Sequence, residues 1–190
     1  YLVKRLKKES KRLRKMVEET LELSKLESKE TFQEYKKVSI SDLVMESWQT
    51  LKPLAENKDV KINLLIPTKY FISGDIENLK RAFINILDNA IRYSPANEEI
   101  QIEIFKRDSS VVIRVRDKGI GLEENEFNDI FSRFYRGDLS RTKFKKSGSG
   151  LGLSITKKII NNNKGFIKAF NHKDGGAIVE TIFPCLNEDS

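Results

Sequence analysis

The 190-residue sequence is poor in the residues that thiol, zinc and histidine chemistry need. Its one cysteine, Cys185, cannot form a disulfide within the chain, which suits a reducing compartment. Its one histidine, His172, cannot build a zinc site from this chain alone. Ser-His-Asp or Cys-His catalysis would also have to run through His172, which has no supporting neighbours in the sequence and is expected to be an exposed structural residue. No apolar run approaches the ~18 residues of a membrane span, and no apolar core follows the basic N-terminal residues as a signal peptide would require. The polypeptide is therefore expected to be soluble and to make no membrane contact. GxxxxGK[ST] does not occur, which excludes a Walker phosphate loop.

Charge of one sign is scarce everywhere except at the beginning. Lys plus Arg is 35 and Asp plus Glu is 28, a net +7. Residues 1–15 hold eight cations (Lys4, Arg5, Lys7, Lys8, Lys11, Arg12, Arg14, Lys15) against Glu9, which is also +7, so 27 charges of each sign remain over the other 175 residues. A basic globular surface for nucleic acid is not what this pattern describes.

Residues 1–29 contain neither Gly nor Pro, and Leu2, Leu6, Leu13, Met16, Val17 and Leu21 recur at helical spacing. Such a helix would be roughly 43 Å long, too long to pack on a small domain along its whole length. With no cap at Tyr1, its stripe is expected to face another helix and the chain to be an excerpt, although the second half could lie on its own domain. An extended piece over 32–40 leads to a helix expected to be capped by Ser41, to run to about Asn57 and to kink at Pro53. Residues 60–66 and 70–73 read as short strands, and Asp75 caps an amphipathic helix to Tyr93. Residues 100–105 and 111–115 alternate as strands. A helix from Gly150 to Asn162 and a hairpin of 165–170 with 177–183, turning at Asp174-Gly175-Gly176, close the chain. The pattern is α+β, with a mostly antiparallel sheet and helices on one face.

Three elements can carry chemistry. On the helix after Asp75, Ile76, Leu79, Phe83, Ile86, Leu87, Ala90 and Ile91 form the apolar stripe, whereas Asn85, Asn89 and Arg92 lie within about 60° of one another on the opposite side. Asn is a mediocre helix former; a solvated ridge would explain one, while amide oxygens can ligate Mg²⁺ and a guanidinium can meet phosphate. Asp117-Lys118-Gly119-Ile120-Gly121 follows a strand directly. It is either a plain turn or a place where Asp117 accepts from an amino group on a flat ring, a bond worth about 1.5–3 kcal/mol. Gly148-Ser149-Gly150-Leu151-Gly152-Leu153 opens a helix; it is either a hinge or a cradle of free N–H groups for phosphate. It is not the GxGxxG dinucleotide fingerprint, because Leu153 stands where the third Gly would be.

Order and combination go further. Phe83 to Ser94 (FINILDNAIRYS) resembles the N box of sensor histidine kinases, Asp117 to Gly121 their first glycine box, Ile130 to Arg136 (IFSRFYR) their F box, and Gly148 to Leu153 their second glycine box. The four come in the family's order over about 41–184, and EETLELSKLES, ending at Ser28, is similar to the end of the dimerisation helix that precedes such domains. The chain is thus identified by resemblance as a catalytic ATP-binding domain of the GHKL superfamily.

The resemblance implies a two-layer α/β sandwich of the Bergerat type with a mixed, mostly antiparallel sheet, preceded by one long helix. Residues 1–30 would be the second dimerisation helix and 31–190 the catalytic domain, with an ATP lid at about 122–147. It implies ATP and Mg²⁺ as ligands: Asn89 the main metal ligand, Asn85 assisting the metal or its water, Arg92 near phosphate and Tyr93 against the adenosine. Asp117 would accept from the adenine amino group, with Gly119 and Gly121 leaving room for the base. Phe134 belongs to the nucleotide-binding F box, and Arg136 would reach the γ-phosphate where charge develops. Gly148, Ser149, Gly150, Leu151, Gly152 and Leu153 would cradle the phosphates, and Lys143 would reach them from the lid.

The same resemblance implies transfer of the γ-phosphoryl group to a histidine on a helix that does not occur in this sequence, then to a response-regulator aspartate. It also implies a homodimer through that helix and a cytosolic portion of a membrane-anchored sensor. His172 lacks the acidic residue that follows a phosphoacceptor. The alternative is another GHKL ATPase or an anti-sigma-type serine kinase; the ATPases place a catalytic Glu where Asn85 stands, and an amide cannot act as a base. A degenerate, non-enzymatic module is a third possibility, against which the intact boxes argue.

Overall fold

The computed structural model describes residues 2–27, 34–135, 137 and 149–186. Helix α1 (Leu2–Glu27) comes first, followed by β1 (Lys36–Ser39), α2 (Ile40–Glu56), β2 (Lys61–Leu65), β3 (Phe71–Gly74) and α3 (Ile76–Tyr93). Strands β4 (Glu99–Arg107) and β5 (Ser110–Arg116), a short helix α4 (Glu126–Asp129), α5 (Gly152–Asn162), and strands β6 (Phe166–Asn171) and β7 (Ala177–Pro184) complete the chain. The main sheet has the order β2-β4-β5-β7-β6, in which β2 and β4 are parallel and every other pair is antiparallel. Strands β1 and β3 form a separate antiparallel ribbon. This is the expected α+β sandwich with a mixed, mostly antiparallel sheet and a long leading helix.

Alternation within the strands decides which face of the sheet is covered. Ile100, Ile102 and Ile104 of β4 are fully buried against the helices, while Gln101 and Glu103 point the other way and are only half-buried. Helix α3 supplies the centre of the second layer: Leu79, Ala82, Phe83, Ile86, Leu87 and Ile91 are at most 1% exposed, and the helix packs between α2 and α5. Burying each large side chain contributes about 1.5–3 kcal/mol, so this stripe anchors the helix and fixes where its polar ridge points.

The open face of the sheet carries a row of alternating charge. Glu103, Arg114, Glu180 and Lys168 are successive cross-strand partners on β4, β5, β7 and β6. Glu180 is completely buried, with Arg114 Nε 2.6 Å and Lys168 Nζ 3.1 Å from its carboxylate oxygens. Burial alone would push its pKa up, but the hydrogen bonds from Arg114 and Lys168 outweigh that and hold it below the ordinary glutamate value.

Two local expectations need correction. The cap of α2 is Ser39, whose hydroxyl accepts from the Asp42 amide at 3.4 Å, and not Ser41, which is buried and donates to the Thr68 carbonyl at 3.3 Å. Strand β1 runs straight into the helix, and burying Ile40 completely places the turn two residues early. His172 is half-buried rather than exposed, its Nδ1 accepting from the Asp174 amide at 3.0 Å within the β6–β7 turn.

Helix α1 divides lengthwise. Leu23 and Leu26 are buried against the domain, and the Leu26 carbonyl accepts from Asn162 Nδ2 at 3.0 Å at the end of α5. Arg81 pairs with Glu22 and Arg133 with Glu27. Leu6, Leu13, Val17 and Leu21 of the apolar stripe are about 60% exposed. Among the described residues, no helix is long and apolar enough to cross a membrane.

Candidate functional site

A concavity opens over the polar ridge of α3. Its walls bring together Asn85, Asn89, Arg92 and Tyr93 of α3, Asp117 and Gly121 beyond β5, and Ser149, Gly150, Gly152 and Leu153 at the start of α5. Three segments spread over residues 85–153 thus meet at one place. Ile86, Ala90, Val115, Ala177 and Val179 form an apolar floor of the kind a flat heterocycle needs.

At one end, Asp117 is held by main-chain bonds. Its Oδ1 accepts from the Gly119 amide at 2.8 Å and the Ala177 amide at 3.2 Å, and its own amide donates to the Ala177 carbonyl at 3.0 Å. Both side-chain bonds fall on one oxygen, which leaves Oδ2 for a ligand. Burial pushes the carboxyl pKa up from its ordinary value; the two amides and the charges of Arg116 and Lys58 offset only part of this. Gly119 is required by close approach, because a Cβ there would lie 2.7 Å from the Tyr93 carbonyl oxygen and 2.9 Å from Asp117 Oδ1. It stands behind Asp117 rather than on the cavity wall.

At the other end the polar groups hold one another through side chains. Arg92 Nε donates to Asp88 Oδ2 at 2.7 Å one turn below, and Asn85 Nδ2 reaches the Gly152 carbonyl at 3.4 Å. Among the described residues no hydrogen bond occupies the Asn89 amide. Gly150 has φ +80°, and a Cβ there would lie 2.8 Å from the carbonyl carbon of Phe134, so the F box and the second glycine box touch backbone to backbone. The Ser149 hydroxyl accepts from the Leu151 amide at 3.1 Å, turning the chain into α5.

Not every expected residue reaches the cavity. The Phe134 ring is 54% exposed, on a backbone with φ +60°, and Leu151 is buried in the core. Arg136, Lys143 and Gly148 lie outside the described residues. The first part of the expected lid is built into the domain: Leu122 exchanges hydrogen bonds with the Asn171 side chain at 2.8 and 2.7 Å. Within the same segment, α4 buries Glu126, whose carboxylate accepts from Tyr135 Oη at 2.7 Å and the Glu123 amide at 2.9 Å.

The cavity also includes residues that sequence reasoning passed over. Asp88, Glu126 and Tyr135 line it, as do Lys15 and Glu19 of α1. The i, i+4 spacing of Asp88 and Arg92 was a usable signal for their pairing. Nothing in the apolar pattern of α1 pointed to Lys15 and Glu19.

Among the described residues, no group of three His, Cys, Asp or Glu side chains could hold a metal unaided. The oxygen donors here are the Asn85 and Asn89 amides with Asp88 beside them. That set suits a hard cation such as Mg²⁺, which takes one or two protein ligands and fills its octahedron with water and phosphate.

Comparison with known proteins places this architecture. Residues 74–187 match the family model described as histidine kinase-, DNA gyrase B- and HSP90-like ATPase. The chain is 33% identical over 180 residues to the sensor-like histidine kinase SenX3 of Mycobacterium tuberculosis, covering 95% of this chain and 44% of that protein. It is 34% identical over 189 residues to the sensor protein SphS of Synechococcus elongatus, covering 96% and 46%. The chain thus spans less than half the length of these curated relatives. In fold it is similar to full-length ShkA, a structure solved with AMPPNP (TM-score 0.81, 22% identity, 98% of this chain and 38% of that one). It is also similar to the histidine kinase ThkA solved in complex with the response regulator TrrA (TM-score 0.76, 24% identity, 96% and 50%). With more than half of its length under the family model and its glycine boxes and Asn-bearing helix gathered on one cavity, the chain belongs to the histidine kinase-, DNA gyrase B- and HSP90-like ATPase family, as an ATP-binding domain.

Proposed function

We propose that the chain is the catalytic part of a two-component sensor histidine kinase. Residues 31–190 would bind Mg-ATP and residues 1–30 would be the second helix of the dimerisation domain. The observation that carries this is the convergence of Asn85, Asn89, Arg92, Asp117, Gly150, Gly152 and Leu153 on one cavity with an apolar floor. The base lies on that floor with its amino group on Asp117 Oδ2, and Tyr93 covers the adenosine. The triphosphate runs toward the start of α5, where free N–H groups and the positive helix end favour anions. Mg²⁺, held by Asn89 with Asn85 beside it, would neutralise charge on the phosphates.

Phosphoryl transfer requires little of the protein beyond position and charge. A histidine nitrogen on the other dimerisation helix attacks the γ-phosphorus in line; the bond to the β–γ bridging oxygen breaks, and ADP departs. Arg92, released from Asp88 to the phosphates, and Arg136 act on the transferring group. The phosphohistidine then supplies a response-regulator aspartate. The partners are thus a second copy of the protein and a regulator, and the working place is the cytosolic side of a membrane-anchored sensor. Sensor kinases as relatives, and a neighbour solved with a response regulator, support this reading.

Two experiments test it. Equilibrium binding of ATP with Mg²⁺ should weaken about tenfold or more in Asn89→Ala and in Asp117→Ala, and only the Asn89 variant should lose the Mg²⁺ dependence. Unchanged affinity in both would remove the site assignment. Adding a separately produced phosphoacceptor helix pair with γ-labelled ATP should place label on its histidine; release of free phosphate alone would favour an ATPase.

A further inference from the structure

The C-terminal end of α3 has a partner from just beyond the end of the neighbouring helix α2. Lys58, just beyond the end of α2, extends its ammonium to the Ile91 carbonyl at 2.7 Å and the Arg92 carbonyl at 2.5 Å. A helix leaves its last carbonyls without intrahelical donors and carries partial negative charge there. The Ser94 amide satisfies only the Ala90 carbonyl, and Lys58 takes the next two. Against the same helix end lies the base-reading loop, with Gly119 packed on the Tyr93 carbonyl and its amide on Asp117 Oδ1. Lys58, the α3 terminus, Gly119 and Asp117 therefore form one contiguous chain of contacts. Lys58 is not on the cavity wall. Its charge and that of Asp117 nevertheless act on each other, each favouring the ionised form of its partner.

We propose that Lys58 is a positioning residue for base selectivity: by clamping the end of α3 against Gly119, it sets where Asp117 presents its free oxygen to an exocyclic amino group, without itself touching the nucleotide. The inference rests on the ATP-binding reading above. A simple structural cap would change stability alone; a positioning residue changes the preference for adenine.

The probes are ATP and inosine triphosphate, which carry the same phosphates but an amino and a keto group respectively at the recognised position. Equilibrium binding of both, with Mg²⁺, is compared in the parent, Lys58→Met and Lys58→Arg, with thermal melting as the check on folding. The parent should prefer ATP by about tenfold or more. In Lys58→Met, ATP affinity should fall about tenfold while that of inosine triphosphate stays within about twofold, so the preference collapses. Lys58→Arg, which can also donate to two carbonyls, should keep it. Should Lys58→Met fail to fold, Lys58→Gln keeps an N–H donor without the charge, and at least about a threefold fall in preference is expected. A parallel loss of both nucleotides, or an intact preference in the folded variants, overturns the role of Lys58 while leaving the ATP site standing. A parent that binds no ATP overturns both.

Discussion

The two ends of the cavity are made of different materials. At the base end, Asp117 is bracketed by the amides of Gly119 and Ala177, one of them at the start of a sheet strand, and the loop lies against the backbone of α3. At the phosphate end, the polar groups are held by other side chains, Arg92 by Asp88 and Tyr135 by Glu126, and Asn85 makes only a long bond to the Gly152 carbonyl. Main-chain bonds in a packed core persist whether or not a ligand arrives. Side-chain pairs can be traded for phosphate oxygens, because a guanidinium leaving one anion for another loses little. On the proposed reading, base recognition would therefore be preorganised, whereas phosphate engagement would be an exchange of partners.

The sharpest way to break this comparison is to add the same methyl group at each end and read it with two ligands, adenosine and ATP. Gly150→Ala should have the larger effect, since φ is +80° and the new Cβ would meet the Phe134 backbone at 2.8 and 2.9 Å. A stability loss on the order of 2–3 kcal/mol is expected by chemical denaturation, with ATP affinity down more than about tenfold and adenosine affinity within about twofold. Gly119→Ala, which meets the Tyr93 carbonyl at 2.7 Å, should weaken both ligands by the same factor, about tenfold. If Gly150→Ala weakened adenosine as much as ATP, the two ends would be one unit and the distinction would fall.

Much of α3 and of the polar ridge it carries was legible because its signals are local. Asp75 reads as a cap and is one, its carboxylate accepting from the Asn78 amide at 3.1 Å. Placing α3 at 100° per residue separated Leu79, Phe83 and Ile86 from Asn85, Asn89 and Arg92, and the structure buries the first set and puts the second on the cavity. What escaped depends on packing between distant segments. Lys58 is 33 residues from Ile91, and no periodicity announces a lysine that will reach a helix end. Glu126 and Tyr135 belong to a stretch without period, where a buried carboxylate–phenol bond is decided by tertiary contact. Helix α1 shows the limit from the other side: its apolar stripe reads as a face for another helix, and on this domain Leu23 and Leu26 do the packing while Leu6, Leu13, Val17 and Leu21 stay exposed. Periodicity identifies a helix face; it does not say which element covers it.

The smallest expected effect is one of sign, and it compares the half-buried carboxylate of Asp117 with the buried carboxylate of Glu180 on the other face of the sheet. Asp117 has its pKa raised above the ordinary 3.8, chiefly by burial, so the folded chain takes up that proton at a higher pH than the unfolded chain does. As pH falls through the folded value toward 3.8, protonation of Asp117 favours the native state, and the gain is complete once both states are protonated. Glu180 behaves in the opposite way. Burial is outweighed by Arg114 and Lys168, its pKa lies below the ordinary 4.5, and the stability it contributes is present above that value and lost as pH falls through the folded one. Denaturation of the parent, Asp117→Asn and Glu180→Gln between neutral and acid pH separates the two. On acidification the parent should gain stability relative to Asp117→Asn and lose it relative to Glu180→Gln. A parent that lost stability against both variants would mean that the amides of Gly119 and Ala177 hold Asp117 ionised more firmly than burial opposes it.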